Sequence, residues 1–139
     1  MTRFVVDASV ALCWYFAAQS TPYTEGVFDR LAAGDEALAP CVWPLEMVNS
    51  LVIAVRQKTI TASQFDTFIR DLRDLPVTVD LHGAARAYSS IPRLCRQHQR
   101  SSYDAAYLDL AQVEGIPLAS LDNNLRAAAR ASGVELLKG

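Results

Sequence analysis

Phe4-Val5-Val6-Asp7-Ala8-Ser9 is the stretch around which the chain is organised: three apolar residues with the character of a buried strand run directly into a carboxylate. A charge at the margin of a core is costly unless a partner compensates it. Asp7 therefore calls for company, and Glu46, Asp104 and Asp122 stand in comparable places further along.

The 139 residues suit a single domain over 1–139, long enough to bury roughly two thirds of its unfolded surface without a disulfide framework. Cys13, Cys41 and Cys95 are far apart and odd in number, and they show no CxxC or Cys/His spacing. They read as reduced core thiols of a cytoplasmic protein, not as a structural zinc site. Phe4 to Ala18 behind Arg3 has some likeness to a signal peptide, but a carboxylate inside the apolar run opposes insertion. No run reaches the ~18 uninterrupted apolar residues of a membrane helix, so no membrane association is expected.

The net charge of -2 excludes a basic nucleic-acid binder of the usual kind. The distribution says more than the sum. No acid lies between Asp80 and Asp104, whereas Arg86, Arg93, Arg96 and Arg100 all do.

From strand one, the chain continues into Val10–Ala18, apolar all round and expected as a buried helix. Thr21-Pro22 is an N-cap followed by proline at the first helical position, and Gly34 ends the helix it starts. A short strand over 37–39 leads to a helix from Pro44 to about Lys58, in which Leu45, Val48, Leu51, Val52 and Val55 recur at helical spacing. Thr61-Ala62-Ser63-Gln64 has capping-box form ahead of the stripe Phe65, Phe68, Ile69 and Leu72. Val77–Val79 is a third strand. A helix over 83–90 and a short one from Pro92 follow, with Arg93, Arg96 and Arg100 at i, i+3 and i+7 on one face. Ser102 is a fair cap for Tyr103–Glu114, which Gly115 stops. Strand four is expected over 116–121, Asp122 caps a helix over 123–131, and 134–137 supplies a fifth strand. Strands alternating with helices make an α/β fold: a parallel sheet of four to five strands with helices on both faces.

Ligands of such sheets bind beyond the carboxyl ends of the strands. Asp7 and Asp122 end strands one and four, while Glu46 and Asp104 occupy first turns of helices, so all four acids can reach that edge. Singly, Glu46, Asp104 and Asp122 could merely complement helix termini. Together, crowded carboxylates repel one another and raise their pKa values unless a cation neutralises them. Oxygen-only ligation suits Mg²⁺ or Mn²⁺ better than zinc, and such an ion can activate water for phosphodiester hydrolysis.

Asp7-Ala8-Ser9, Glu46-Met47-Val48-Asn49, Tyr103-Asp104-Ala105-Ala106-Tyr107 and Ser120-Leu121-Asp122 resemble, in order and approximate spacing, the four signature segments of the PIN domain as found in VapC-type toxins. The resemblance spans almost the whole chain. It implies a metal-dependent endoribonuclease in which Asp7, Glu46, Asp104 and Asp122 form the acidic quartet that coordinates Mg²⁺ or Mn²⁺. Ser9, Asn49 and Ser120 match positions that support the acids by hydrogen bonding. Asn123 and Asn124 stand where some members carry a further acid, which weakens the case for a tightly held second metal. The resemblance further implies an RNA substrate, a VapB-type antitoxin over the active-site groove, and homodimerisation.

The face of Arg93, Arg96 and Arg100 is a candidate RNA-backbone contact, with a solvated face or an antitoxin contact as the alternatives. Trp14, Tyr15 and Trp43 are candidate partner surface or core. An aspartyl-nucleophile phosphotransferase would want an acid two residues after Asp7, where Ser9 stands, and a well-placed lysine that the chain lacks. The remaining alternative is a non-catalytic PIN-fold binding or regulatory module that keeps the acids.

Overall fold

The computed structural model describes residues 2–139. Its sheet has four parallel strands, β1 (Arg3–Val6), β2 (Glu36–Pro40), β3 (Val77–Asp80) and β4 (Leu118–Ala119), in the order β3-β2-β1-β4. Phe4, Val5 and Val6 are all fully buried. Consecutive strand residues point to opposite faces, so both faces of β1 are covered, as the unbroken apolar run requires.

Seven helices complete the α/β fold: α1 (Ala8–Ala11), α2 (Pro22–Ala32), α3 (Trp43–Arg56), α4 (Ala62–Asp74), α5 (Ser90–His98), α6 (Ser102–Glu114) and α7 (Asn123–Ala131). Thr21 caps α2 ahead of the proline in its first turn and Thr61 forms a capping box, as the sequence predicts; Thr21 also completes a box with Thr24. Gly115 closes α6 in the left-handed conformation (φ 65°) that a glycine adopts without strain. α6 lies against β1, β2 and β4 and buries Ala105, Tyr107, Leu108, Leu110 and Ala111.

Several expected elements differ. The helix over 10–18 is instead α1 continued by a 3₁₀ turn over Leu12–Trp14, with Ala17 and Ala18 exposed. It breaks where its aromatic residues part company. Trp14 packs edge-on against Phe28 and donates its indole N–H to the Thr24 carbonyl at 2.9 Å, whereas Tyr15 meets Phe68 edge-on. Trp43 is buried and Trp14 and Tyr15 are half-buried, so none of the three is an open partner surface. Cys13 is buried but Cys41 is exposed and Cys95 only partly covered, so the expectation of three core thiols fails for Cys41.

Residues 83–90 hold only a 3₁₀ turn over Gly83–Arg86, and α5 already begins at Ser90. Ser101, not Ser102, caps α6 by accepting the Asp104 N–H at 3.1 Å. Strand four shrinks to β4, and the expected fifth strand is a single parallel bridge between Leu118 and Leu136. Pro117 has no N–H to give a longer ladder, and Ser120 turns its hydroxyl to Asp7. Among the described residues, no helix is long and apolar enough to cross a membrane.

One buried network has no local signal in the sequence. Asp109, 2% exposed in the middle of α6, accepts from Arg86 Nε and from the Ser90 hydroxyl, both at 2.6 Å, and Arg86 Nη2 also reaches Asp80 at 3.0 Å. It ties the 3₁₀ turn and the start of α5 to α6 and β3. Arg86→Met leaves Asp109 charged and without its cation in the core, and is expected to cost about 3 kcal/mol in urea denaturation. Asp80→Asn keeps the Arg86–Asp109 contact and is expected to cost about 1 kcal/mol or less.

Candidate active site

The strand order places β1 between β2 and β4, and the chain leaves β1 toward β2 on one side while β4 returns on the other. The carboxyl ends of β1 and β4 therefore form the switch point at which open parallel sheets hold their ligands. Asp7 follows β1 and Ser120-Leu121-Asp122 follows β4, with the Asp7 N–H donating to the Ala119 carbonyl at 2.9 Å.

Asp7 takes the N-cap place of α1, yet its side chain caps nothing. Its Oδ2 accepts two hydroxyls instead, from Ser9 at 2.8 Å and Ser120 at 2.7 Å. Each hydroxyl also accepts a backbone N–H of the β4–α7 connection: Ser9 Oγ from Leu121, and Ser120 Oγ from Asp122, both at 3.0 Å. The two serines thus lock the ends of β1 and β4 together through one carboxylate oxygen, and neither occupies Oδ1. Asp7 is 8% exposed, and burial pushes its pKa up; the Ser120 and Ser9 hydroxyls oppose that shift, and the nearby Asp104 charge adds to it.

Glu46 lies in the first turn of α3, where Pro44 favours the helix start, and Tyr107 donates its hydroxyl to Glu46 Oε1 at 2.6 Å. Burial raises the Glu46 pKa against this hydrogen bond, and the charges of Asp7 and Asp104 raise it further. Tyr107 is 1% exposed, and burial with the Asp7 and Glu46 charges pushes its phenol far up, so it stays a proton donor. Asp104, in the first turn of α6, is raised by burial and then by Asp122, with Arg100 at 3.6 Å acting in the opposite direction. Asp122 caps α7 as expected, its Oδ1 accepting the N–H groups of Asn124 at 2.9 Å and Leu125 at 3.3 Å.

The four acids are thus linked by electrostatic coupling: Asp7 with Glu46 and Asp104, Glu46 with Asp104, and Asp104 with Asp122. Of the expected supporting residues, Ser9 and Ser120 are in place. Asn49 is not, because it is exposed on α3 and makes no side-chain hydrogen bond among the described residues. Nor do the three arginines share a helix face. α5 ends at His98 with Gln99 in the left-handed conformation, leaving Arg93 and Arg96 exposed on the helix and Arg100 beyond it beside Asp104. Tyr107 is the site residue whose role the sequence reading misses, although its place one helical turn after Asp104 was the available signal.

The sequence model of the PIN domain matches residues 4–131, a span that holds all four acids and both serines. The chain belongs to the PIN domain family. Solved structures of similar fold include PAE2754 from Pyrobaculum aerophilum, 19% identical with a TM-score of 0.61 over 91% of this chain and 84% of that one. VapBC2 from Rickettsia felis, bound to a DNA fragment from its promoter, is 9% identical with a TM-score of 0.68 over 98% of each chain. FitAcB from Neisseria gonorrhoeae is 14% identical with a TM-score of 0.67 over 97% of this PIN domain and 96% of that chain. At these identities the likeness is one of fold. No curated protein matches the sequence.

Burial of Asp7 fixes a pH dependence of stability. Its pKa is raised on folding, so above the ordinary value of 3.8 the folded protein holds a proton that the unfolded chain has released. Stability therefore falls as pH rises through the folded pKa and stays reduced above it. Asp7→Asn removes that loss and keeps an acceptor for both serines. In EDTA its thermal midpoint is expected to exceed wild type at pH 7.5, with the gap closing toward pH 4; a gap that does not depend on pH would contradict the assignment.

Proposed function

We propose that this PIN domain is a divalent-metal-dependent endoribonuclease, a VapC-type toxin working in the cytoplasm and held inactive by a VapB-type antitoxin. The observation that carries the proposal is the coupling of Asp7, Glu46, Asp104 and Asp122 at the switch point of the sheet. Burial and mutual repulsion raise the pKa of three of them, a cost that a cation received there would offset.

The donor set fits the proposed ion. It offers carboxylate oxygens without imidazole or thiolate, which suits Mg²⁺ or Mn²⁺. Among the described residues no three carboxylate, imidazole or thiolate groups stand close enough together to hold an ion by themselves. Asp7 and Asp104 would hold it, with Glu46 and Asp122 as direct or water-mediated ligands. Bound there, it supplies a water of lowered pKa and offsets charge on the scissile phosphate.

The chain's own part is positioning. Ser9 and Ser120 fix Asp7, Tyr107 fixes Glu46 through Oε1 and leaves Oε2 for a ligand or a proton, and Arg100 steadies Asp104. Arg93 and Arg96 on α5, with Arg100 beyond it, are proposed to contact the RNA backbone. Similarity in fold to VapBC2 and FitAcB supports the toxin reading and an antitoxin partner. A homodimer is the further partner proposed.

With Mg²⁺ or Mn²⁺, the purified protein is expected to cut mixed RNA to products with 5′-phosphate ends, and EDTA to stop it. Asp7→Asn is expected to lower the rate more than about 100-fold, beyond the loss typical of a residue that only supports a metal ligand. Cleavage that survives either EDTA or the substitution would refute the assignment.

A further inference from the structure

We propose that the recess between the end of α5 and α7 is a subsite for a backbone phosphate of the RNA, one that neighbours the phosphate being cut. The inference rests on the nuclease reading above. The recess measures about 300 Å³ and is lined by His98, the last residue of α5, by Arg100 just beyond it, and by Asn124, Ala127, Ala128 and Ala131 of α7. Those four residues of α7 recur at i, i+3, i+4 and i+7, the spacing of one helix face.

The lining residues themselves connect the recess to two of the acids. Arg100 Nη1 stands 3.6 Å from Asp104 Oδ2, and the backbone N–H of Asn124 donates to Asp122 Oδ1 at 2.9 Å. None of the lining residues is an acid. Between His98 and Arg100, Gln99 adopts the left-handed conformation (φ 52°) that residues other than glycine rarely take, and its carbonyl accepts Arg100 Nε at 3.1 Å. This residue turns the chain out of α5 and steadies Arg100 beside Asp104.

The chemistry of the lining selects an anion. Arg100 brings a permanent positive charge, and its Nη2 makes no hydrogen bond among the described residues. His98 Nε2 is shut away from solvent without a partner among the described residues, whereas buried polar atoms ordinarily have one. The Asn124 side chain is exposed and equally uncommitted among the described residues. The alanine methyls add no charge, and the recess holds no Phe, Tyr or Trp on which a base could stack. A strand with one phosphate among the acids carries the next along their border, which favours RNA over a free anion or an acidic peptide.

The chain has two histidines, His82 and His98, so imidazole ¹⁵N spectra contain one reporter in the recess and one outside it. In EDTA, a short oligouridylate is expected to move the His98 signals saturably and leave those of His82 still, while inorganic phosphate at the same phosphate concentration moves neither. Ala127→Glu puts a negative charge into the recess from an exposed helix position. It is expected to abolish the His98 response and to make the salt dependence of oligouridylate binding shallower by about 0.7, the share of one single-strand phosphate, without lowering the thermal midpoint. Ala127→Gln, of the same size without the charge, is expected to keep both. An unmoved His98, an equal response to inorganic phosphate, or a salt slope unchanged by Ala127→Glu overturns the proposal, as does a glutamate-rich peptide that moves His98 where the oligouridylate does not. RNA cleavage in Mg²⁺ with His98 unmoved would sink this subsite and leave the nuclease reading standing. The His98 response and the slope change without any cleavage would do the reverse.

Discussion

The carboxylate of Asp7 and the two serine hydroxyls on its Oδ2 form the contact on which the site depends. Ser9 comes from the residues just after β1, and Ser120 from those just after β4, more than a hundred residues away. Both hydroxyls pass the restraint on to backbone N–H groups of Leu121 and Asp122. One acid therefore sets the spacing between two strand ends and also the course of the loop that carries Asp122. Its burial is costly, and the hydroxyls offset part of that cost without removing it.

Around this contact, each remaining acid has a different kind of support. Glu46 is held by a buried phenol, Asp104 by the guanidinium of Arg100, and Asp122 by the amide groups of the helix it caps. Phenol and hydroxyl donors orient a carboxylate without cancelling its charge, whereas a full ion pair at Asp7 would have neutralised it. A buried ion pair lies elsewhere, between Arg86 and Asp109, where it fastens α6 to the elements before it. Arg86 neutralises Asp109 within the fold, whereas Asp7 and Glu46 receive only uncharged donors.

Amphipathic periodicity and capping chemistry were legible in the sequence because they are local. The cap at Thr21, the box at Thr61, the proline starts of α2 and α3, and the glycine stop of α6 each depend on residues within one helical turn. Helix ends governed by distant packing were not. The break after Trp14 answers to Thr24, Phe28 and, through Tyr15, Phe68, and the early end of α5 removes Arg100 from the face that its spacing implied. Asn49 matched a family position by spacing alone, and in this chain it is exposed on α3 without a side-chain hydrogen bond among the described residues.

By itself, the sequence determined the alternation of strands and helices and the parallel sheet, and it picked out the four candidate acids, since these follow from local pattern and from residues ordered along the chain. Tertiary structure alone decided that Ser9 and Ser120 share one oxygen of Asp7, that Tyr107 orients Glu46, and that Arg86 crosses to Asp109. The physical reason is distance along the chain. Such contacts join residues that no periodicity relates, and they exist only once the order β3-β2-β1-β4 has brought the ends of β1 and β4 side by side.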